Sequence, residues 1–148
     1  MTRSLLLLAL AGTAGGCSRA PEDRAEALVR RLGGSVARDD RLPGAPVVSV
    51  HLRETACTDA DLKQLTALTH LVSLNLSKTQ VTDTGMQEVH HFKELRTLAV
   101  RETAVTDAGL RVIAQLPNLT SLYVGGANVT RAGIDEFLKT RPTCEISE

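Results

Sequence analysis

The sequence has no tryptophan, one tyrosine (Tyr123) and two phenylalanines (Phe92 and Phe137) in 148 residues. That scarcity weighs against single-strand nucleic-acid binding, in which bases stack on aromatic rings. It also bears on any tight interface, because buried aromatic side chains carry much of the energy at binding hot spots. An excess of either charge is missing too: 17 Lys and Arg are balanced by 17 Asp and Glu. Nucleic-acid binders concentrate positive charge against phosphates, so no nucleic-acid partner is expected. The three cysteines, Cys17, Cys57 and Cys144, are too few for a disulfide framework. Apolar runs are short throughout, and none approaches the roughly 20 residues of a membrane-spanning helix.

What the chain has in abundance is repetition. Val47-x-x-Val50-x-Leu52-x-x-Thr55-x-Cys57-Thr58-Asp59 is followed 24 residues later by Leu71-x-x-Leu74-x-Leu76-x-x-Thr79-x-Val81-Thr82-Asp83. Leu95-x-x-Leu98-x-Val100-x-x-Thr103-x-Val105-Thr106-Asp107 makes a third copy. A fourth, Leu119-x-x-Leu122-x-Val124-x-x-Ala127-x-Val129-Thr130-Arg131, drifts at two places. Each copy continues through Asp61, Gly85, Gly109 or Gly133 into a second apolar group, such as Met86, Val89 and Phe92 or Leu110, Ile113 and Leu116. A fixed short period of this kind is the signature of a solenoid, in which no unit buries its apolar face alone.

The pattern L-x-x-L-x-L-x-x-T-x-V-T-D-x-G-L resembles the signature of leucine-rich repeats. It is most similar to the helix-bearing subclass of ribonuclease-inhibitor-like and F-box-associated repeats, and to arrays in bacterial envelope proteins. The resemblance covers residues 47–146 and implies an α/β solenoid, with a parallel sheet on the concave side and helices on the convex side. No F-box precedes the repeats.

Within one repeat, Leu74 and Leu76 are expected to point inward and Ser73 and Asn75 outward, by strand alternation. Thr79, in a column with Thr55 and Thr103, is expected to satisfy backbone groups at the turn after the strand. Thr82 is suited to cap the following helix, and Asp83 to its first turn, where the helix dipole favours an anion. Gly85 is expected where backbones approach closely, and Gly125-Gly126 to loosen the fourth turn. Cys57 replaces a valine of the other copies and is expected as a small buried hydrophobe. It lies three to four strands from Cys144, about 15–20 Å at the usual strand spacing, beyond disulfide reach.

Residues 21–46 read as an N-terminal cap. Pro21 to Leu32 has one apolar stripe (Ala25, Leu28, Val29, Leu32) with Glu22 and Asp23 at its start and Arg30 and Arg31 at its end, as a helix prefers. A strand from Ser35 to Arg38 is expected to form an antiparallel hairpin with the first repeat. The four repeats occupy 47–140, and 141–148 forms a closing strand with Ile146 in the Leu74 column. The six arginines between Arg19 and Arg41 are nearly cancelled by neighbouring acids, which reads as a mixed solvated surface.

Residues 1–16 have the layout of a signal peptide: Arg3, an apolar run from Leu5 to Ala11, then small residues. Ala14-Gly15-Gly16-Cys17 resembles the lipobox of bacterial lipoproteins, with Ala14 where leucine is usual. The resemblance implies cleavage before Cys17, acylation of its thiol and amine, and residues 17–20 as a short tether. Ser18 fits the sorting rule of such lipoproteins for an outer membrane. The implied location is the bacterial cell envelope, anchored to a membrane by lipid; a secreted or cytoplasmic protein with Cys17 unmodified is the alternative.

Among chemistry-bearing residues, the column Asp59, Asp83, Asp107 invites a divalent cation but is more simply read as helix capping, with Arg131 ending the row as a counter-charge. The four histidines, His51, His70, His90 and His91, have no zinc-ligand spacing. No nucleophile, base and orienting group converge in the pattern, so neither catalysis, a cofactor, a metal nor a small-molecule substrate is expected. The Ser49, Ser73, Thr97, Ser121 column suggests cross-strand hydroxyl pairing. The remaining function is protein or peptide binding through outward strand positions, with His51, Arg53, Asn75, Lys78, Arg101 and Tyr123 as the contact set; an inert spacer is the competing reading.

If the lipobox reading holds, the intact mass of the protein from native membranes corresponds to a chain beginning at acylated Cys17, and Cys17→Ser moves it to the soluble fraction. A lipid-free mass that retains residues before Cys17 defeats that reading.

Overall fold

The computed structural model describes residues 20–148. The signal peptide (1–16), Cys17 and most of the tether expected at 17–20 lie outside the described residues. The elements run α1 (Ala20–Arg31), β1 (Ser35–Arg38), β2 (Val47–His51), α2 (Asp59–Leu65), β3 (Ser73–Asn75), α3 (Asp83–Val89), β4 (Thr97–Ala99), α4 (Asp107–Ile113), β5 (Ser121–Tyr123), α5 (Arg131–Thr140) and β6 (Glu145–Ser147). They form one six-stranded sheet in sequence order. β1 pairs antiparallel with β2, and every later pair is parallel. This is the solenoid that the 24-residue period predicts.

The register is constant from repeat to repeat. Val50, Leu74, Leu98, Leu122 and Ile146 stand opposite one another, so the last strand joins the leucine column as expected. The inward leucines and valines are fully buried, and with Met86, Phe92, Leu110 and Ile113 they make one continuous apolar core between sheet and helices. The helices are shorter than the apolar spacing suggests. α3 ends at Val89 and α4 at Ile113, and Phe92 and Leu116 are buried in the connections that follow.

The hydroxyls of Thr55, Thr79 and Thr103 donate to the carbonyls of Leu52, Leu76 and Val100 at 2.6–2.7 Å, closing the turn after each strand. Just before each threonine the backbone is left-handed, with φ of 60° at Glu54, 56° at Lys78 and 52° at Glu102. Gly126 holds the same place at φ 73°. The expectation that Gly125-Gly126 loosens the fourth turn is therefore corrected. Gly126 makes the same turn without the steric cost that a Cβ brings to left-handed backbone.

The aspartate column does more than sit at its own helix. Asp59 accepts from the Thr82 amide at 2.8 Å and the Thr82 hydroxyl at 2.6 Å, both in the next repeat. Asp83 holds Thr106 in the same way, and Asp107 holds Thr130. The glycine column follows from this: a Cβ at Gly85, Gly109 or Gly133 would run into the Asp59, Asp83 or Asp107 carboxylate. The first repeat has no aspartate before it. There Asp61, standing in the glycine column, turns back and accepts from the amide and hydroxyl of Thr58 at 2.9 Å each. At the other end Arg131 does not neutralise the row, contrary to expectation; it pairs with Asp135 at 3.5 Å and Glu148 at 3.6 Å.

The N-terminal cap is tied on by charge as well as by Ala25, Leu28 and Val29. α1 starts at Ala20 and ends at Arg31, one residue earlier at each end than the sequence pattern indicates; Pro21 is tolerated because first-turn amides lack helical partners. Arg38 on β1 faces three carboxylates of α1, those of Glu22, Asp23 and Glu26. Glu22 also accepts from the Val47 amide at 2.6 Å, pinning α1 to the start of β2. Hydrogen bonds from Arg30 and then Arg38 hold the Glu26 carboxyl below its usual range despite its partial burial.

Two outcomes follow from the ladder. Around a Cβ at Gly133 the three nearest atoms are those of the Asp107 carboxylate. Gly133→Ala should therefore destabilise the protein by about 1–3 kcal/mol through overpacking. On an Asp107→Ala background the same change should turn neutral or mildly stabilising, since alanine is the better helix former; an unchanged penalty in that thermal-unfolding cycle would refute the coupling. The Thr130 hydroxyl and amide hold the Asp107 carboxyl below its ordinary value of 3.8. A depressed pKa stabilises the fold above the ordinary value and that contribution is lost as pH falls through the folded pKa. The Tm advantage of wild type over Asp107→Asn should be full near neutrality and shrink as pH drops below 3.8.

Candidate functional site

Because β2 to β5 are in strict register, their outward residues form rows. His51, Asn75, Ala99 and Tyr123 make one row, continued by Ser147 on β6. Arg53, Ser77, Arg101 and Gly125 make the next, two residues further along each repeat. The rows are uneven in height. Ser77 is 5% exposed and Ala99 9%, while His51 and Arg53 at one side stand in solvent and Tyr123 at the other is half-buried. Small residues flanked by large ones produce a recess of about 300 Å³ on the sheet face.

Five of the six residues expected as contacts line that recess: His51, Arg53, Asn75, Arg101 and Tyr123. Lys78 does not. It stands on the rim between Glu54 at 3.2 Å and Glu102 at 3.8 Å, forming a short charge ladder. Lys78 in turn holds the Glu54 carboxyl below its usual range, with a smaller contribution from Arg53. The left-handed turn explains the misplacement: it swings residue 78 out of the strand plane, whereas Ser77 remains in the floor.

Arg101 is the most constrained side chain in the recess. Its guanidinium carbon lies 5.0 Å from the Tyr123 ring centroid, a cation–π distance. Its Nη2 donates to the Ser147 hydroxyl at 3.0 Å, reaching across β5 to the closing strand. Its Nε is buried without an acceptor. The pairing of Arg101 with Tyr123 was legible in the sequence as an adjacency of columns. The anchoring by Ser147 was not, because it joins residues 46 apart. Ala99 gave no signal in the sequence either; its small side chain, between Asn75 and Tyr123, keeps the floor of the recess low.

Other candidates resolve into structural roles. No hydroxyl of the Ser49, Ser73, Thr97, Ser121 column bonds to another; Ser49 instead approaches His51 Nε2 at 3.4 Å. His70 faces Glu94 at 3.3 Å, and the rings of His90 and His91 lie against each other with centroids 4.0 Å apart, tilted by 35°. Among the described residues no three His, Cys, Asp or Glu side chains group as a metal site. Cys57 and Cys144 are both buried and unpaired, as their spacing predicts. Burial, with Asp61 and Asp59 nearby, pushes the Cys57 thiol up to about 12, so it is not a nucleophile at neutral pH. No helix among the described residues is long and apolar enough to cross a membrane.

Residues 67–89, the end of the first repeat and most of the second, match a family model described as Leucine Rich repeat. The match identifies one leucine-rich repeat within the solenoid. Among solved structures it is similar to a leucine-rich-repeat protein of Leptospira interrogans, at 24% identity and a TM-score of 0.46. The likeness covers 58% of this chain and 21% of that one, so this chain spans about a fifth of that protein's length. No curated protein matches the sequence. Leucine-rich-repeat domains generally mediate protein–protein binding and are typically not enzymes.

Proposed function

We propose that the protein is a binding module of the bacterial cell envelope, held to a membrane by lipid on Cys17, that captures a protein or peptide on its concave sheet face. The observation that carries the binding half is the recess itself. Five chemically varied side chains, from four consecutive repeats, meet over a floor of small residues. The recess also holds the one tyrosine of the chain, and a tyrosine stacked against an arginine is the kind of pair that anchors interfaces. The anchoring half rests on the run Ala14-Gly15-Gly16-Cys17.

With a site-specific photo-cross-linker at Asn75 in the native host, a discrete adduct should form and should disappear in the Tyr123→Ala, Arg101→Ala double variant. Loss of a hot-spot pair of this kind costs about 2 kcal/mol or more, roughly thirty-fold in affinity. Identical labelling in the two proteins would leave the sheet face without a partner and favour an inert spacer.

A further inference from the structure

We infer that the occupant of the recess is an acidic peptide segment, with one carboxylate on the Arg101 guanidinium and a second on Arg53. This rests on the concave-face reading above and adds the chemistry of what is bound. Charge over the whole chain is balanced, 17 against 17, yet the recess is lined by His51, Arg53 and Arg101 and by no acid. The acids stand outside it, on the rim and around the helices; the nearest, Glu54 on the rim, meets the exposed Arg53 at its Nε, 3.3 Å away, a solvent-screened pair that an incoming carboxylate has to compete with.

Two partly buried arginines show the difference. Arg38, in the cap, has three carboxylates of α1 within 3.8 Å. Arg101 has no carboxylate in reach among the described residues, only a hydroxyl and a ring. A half-buried guanidinium is desolvated and calls for a counter-charge. Here the protein supplies rigidity instead: Ser147 and Tyr123 hold the fork in place, so little freedom is lost when an anion docks. Arg53 stands in the same row two strands away, about 10 Å at the usual strand spacing. That is too wide for one carboxylate. It suits two acidic side chains three residues apart on a polyproline-II segment, which puts them on one side about 9.3 Å apart. Ser77 and Ala99 keep the floor low between them.

An anionic lipid surface would also satisfy arginines, but a recessed sheet face cannot lie flat on a bilayer. The exposed rim acids Glu54 and Glu102 would meet the headgroups first. A peptide is therefore the favoured occupant.

The test pans a displayed random-peptide library on the immobilised full-length protein and measures the enriched peptides by fluorescence anisotropy. Enriched sequences should carry two Asp or Glu separated by two residues. Their affinity should fall about tenfold on Arg53→Gln and more on Arg101→Gln, and should weaken as salt rises. The Arg53 side chain is 60% exposed, so that variant tests the claim without loading the fold; Arg24→Gln on α1 serves as the charge-matched control. Neutral or basic peptides that still need Tyr123 would overturn the acidic occupant and leave the concave-face reading standing. Failure to enrich any peptide removes both. Sedimentation with phosphatidylglycerol vesicles, lost on Arg101→Gln in the absence of acidic peptides, would assign the site to lipid and overturn the inference.

Discussion

The architecture depends on one contact repeated three times: a carboxylate at the first turn of one helix accepting from the amide and hydroxyl of the threonine that begins the next. Apolar side chains drive the stacking, but hydrophobic contact is non-directional and would tolerate sliding between units. The carboxylate–threonine pair is directional and leaves the two oxygens one arrangement to adopt. It explains why three residue types recur together, since the aspartate needs its threonine, and the glycine three residues on clears the space the aspartate occupies. Sheet register is set on one side of the solenoid by backbone pairing and on the other by this ladder. The two constraints together keep every strand residue opposite its counterpart.

That constancy is what turns the sheet face into a surface with designable relief. With register held, the height of each outward position is decided by side-chain size alone. The array places serine and alanine in the middle and arginine, histidine and tyrosine around them. Charge follows the same division of labour. Arg38 is consumed in holding the cap, Lys78 in pairing the rim glutamates, and Arg101 is left in the recess with a hydroxyl but no carboxylate to donate to. A balanced sequence composition thus conceals a surface that is locally cationic, because pairing on the rim and in the cap removes acids from one region and not another.

Much of this was legible before any coordinates, for a physical reason. A column repeated at a fixed period reports a repeated environment, so Leu74, Thr79 and Thr82 announced core, turn and cap, and Cys57 announced burial by standing among valines. Periodicity says nothing about which column touches which. The role of Asp83 was therefore read within its own helix, while its partner Thr106 lies 23 residues on. Lys78 follows the last outward strand residue, Ser77, and the left-handed backbone at Lys78 itself places it on the rim, a turn that the repeat pattern alone does not announce. Ser147 was unreadable as a partner of Arg101, since it belongs to a strand that breaks the repeat pattern.

Asp61 has a consequence for how such an array can change length. It fills, from within the first unit, the slot that every later unit leaves open for its predecessor. A duplicated unit spliced on ahead of it would press two carboxylates into one space, whereas a copy inserted between existing units meets an empty glycine and a waiting hydroxyl. Growth or shrinkage of the array by gene duplication is thereby channelled to interior junctions, and the flanking caps stay as they are.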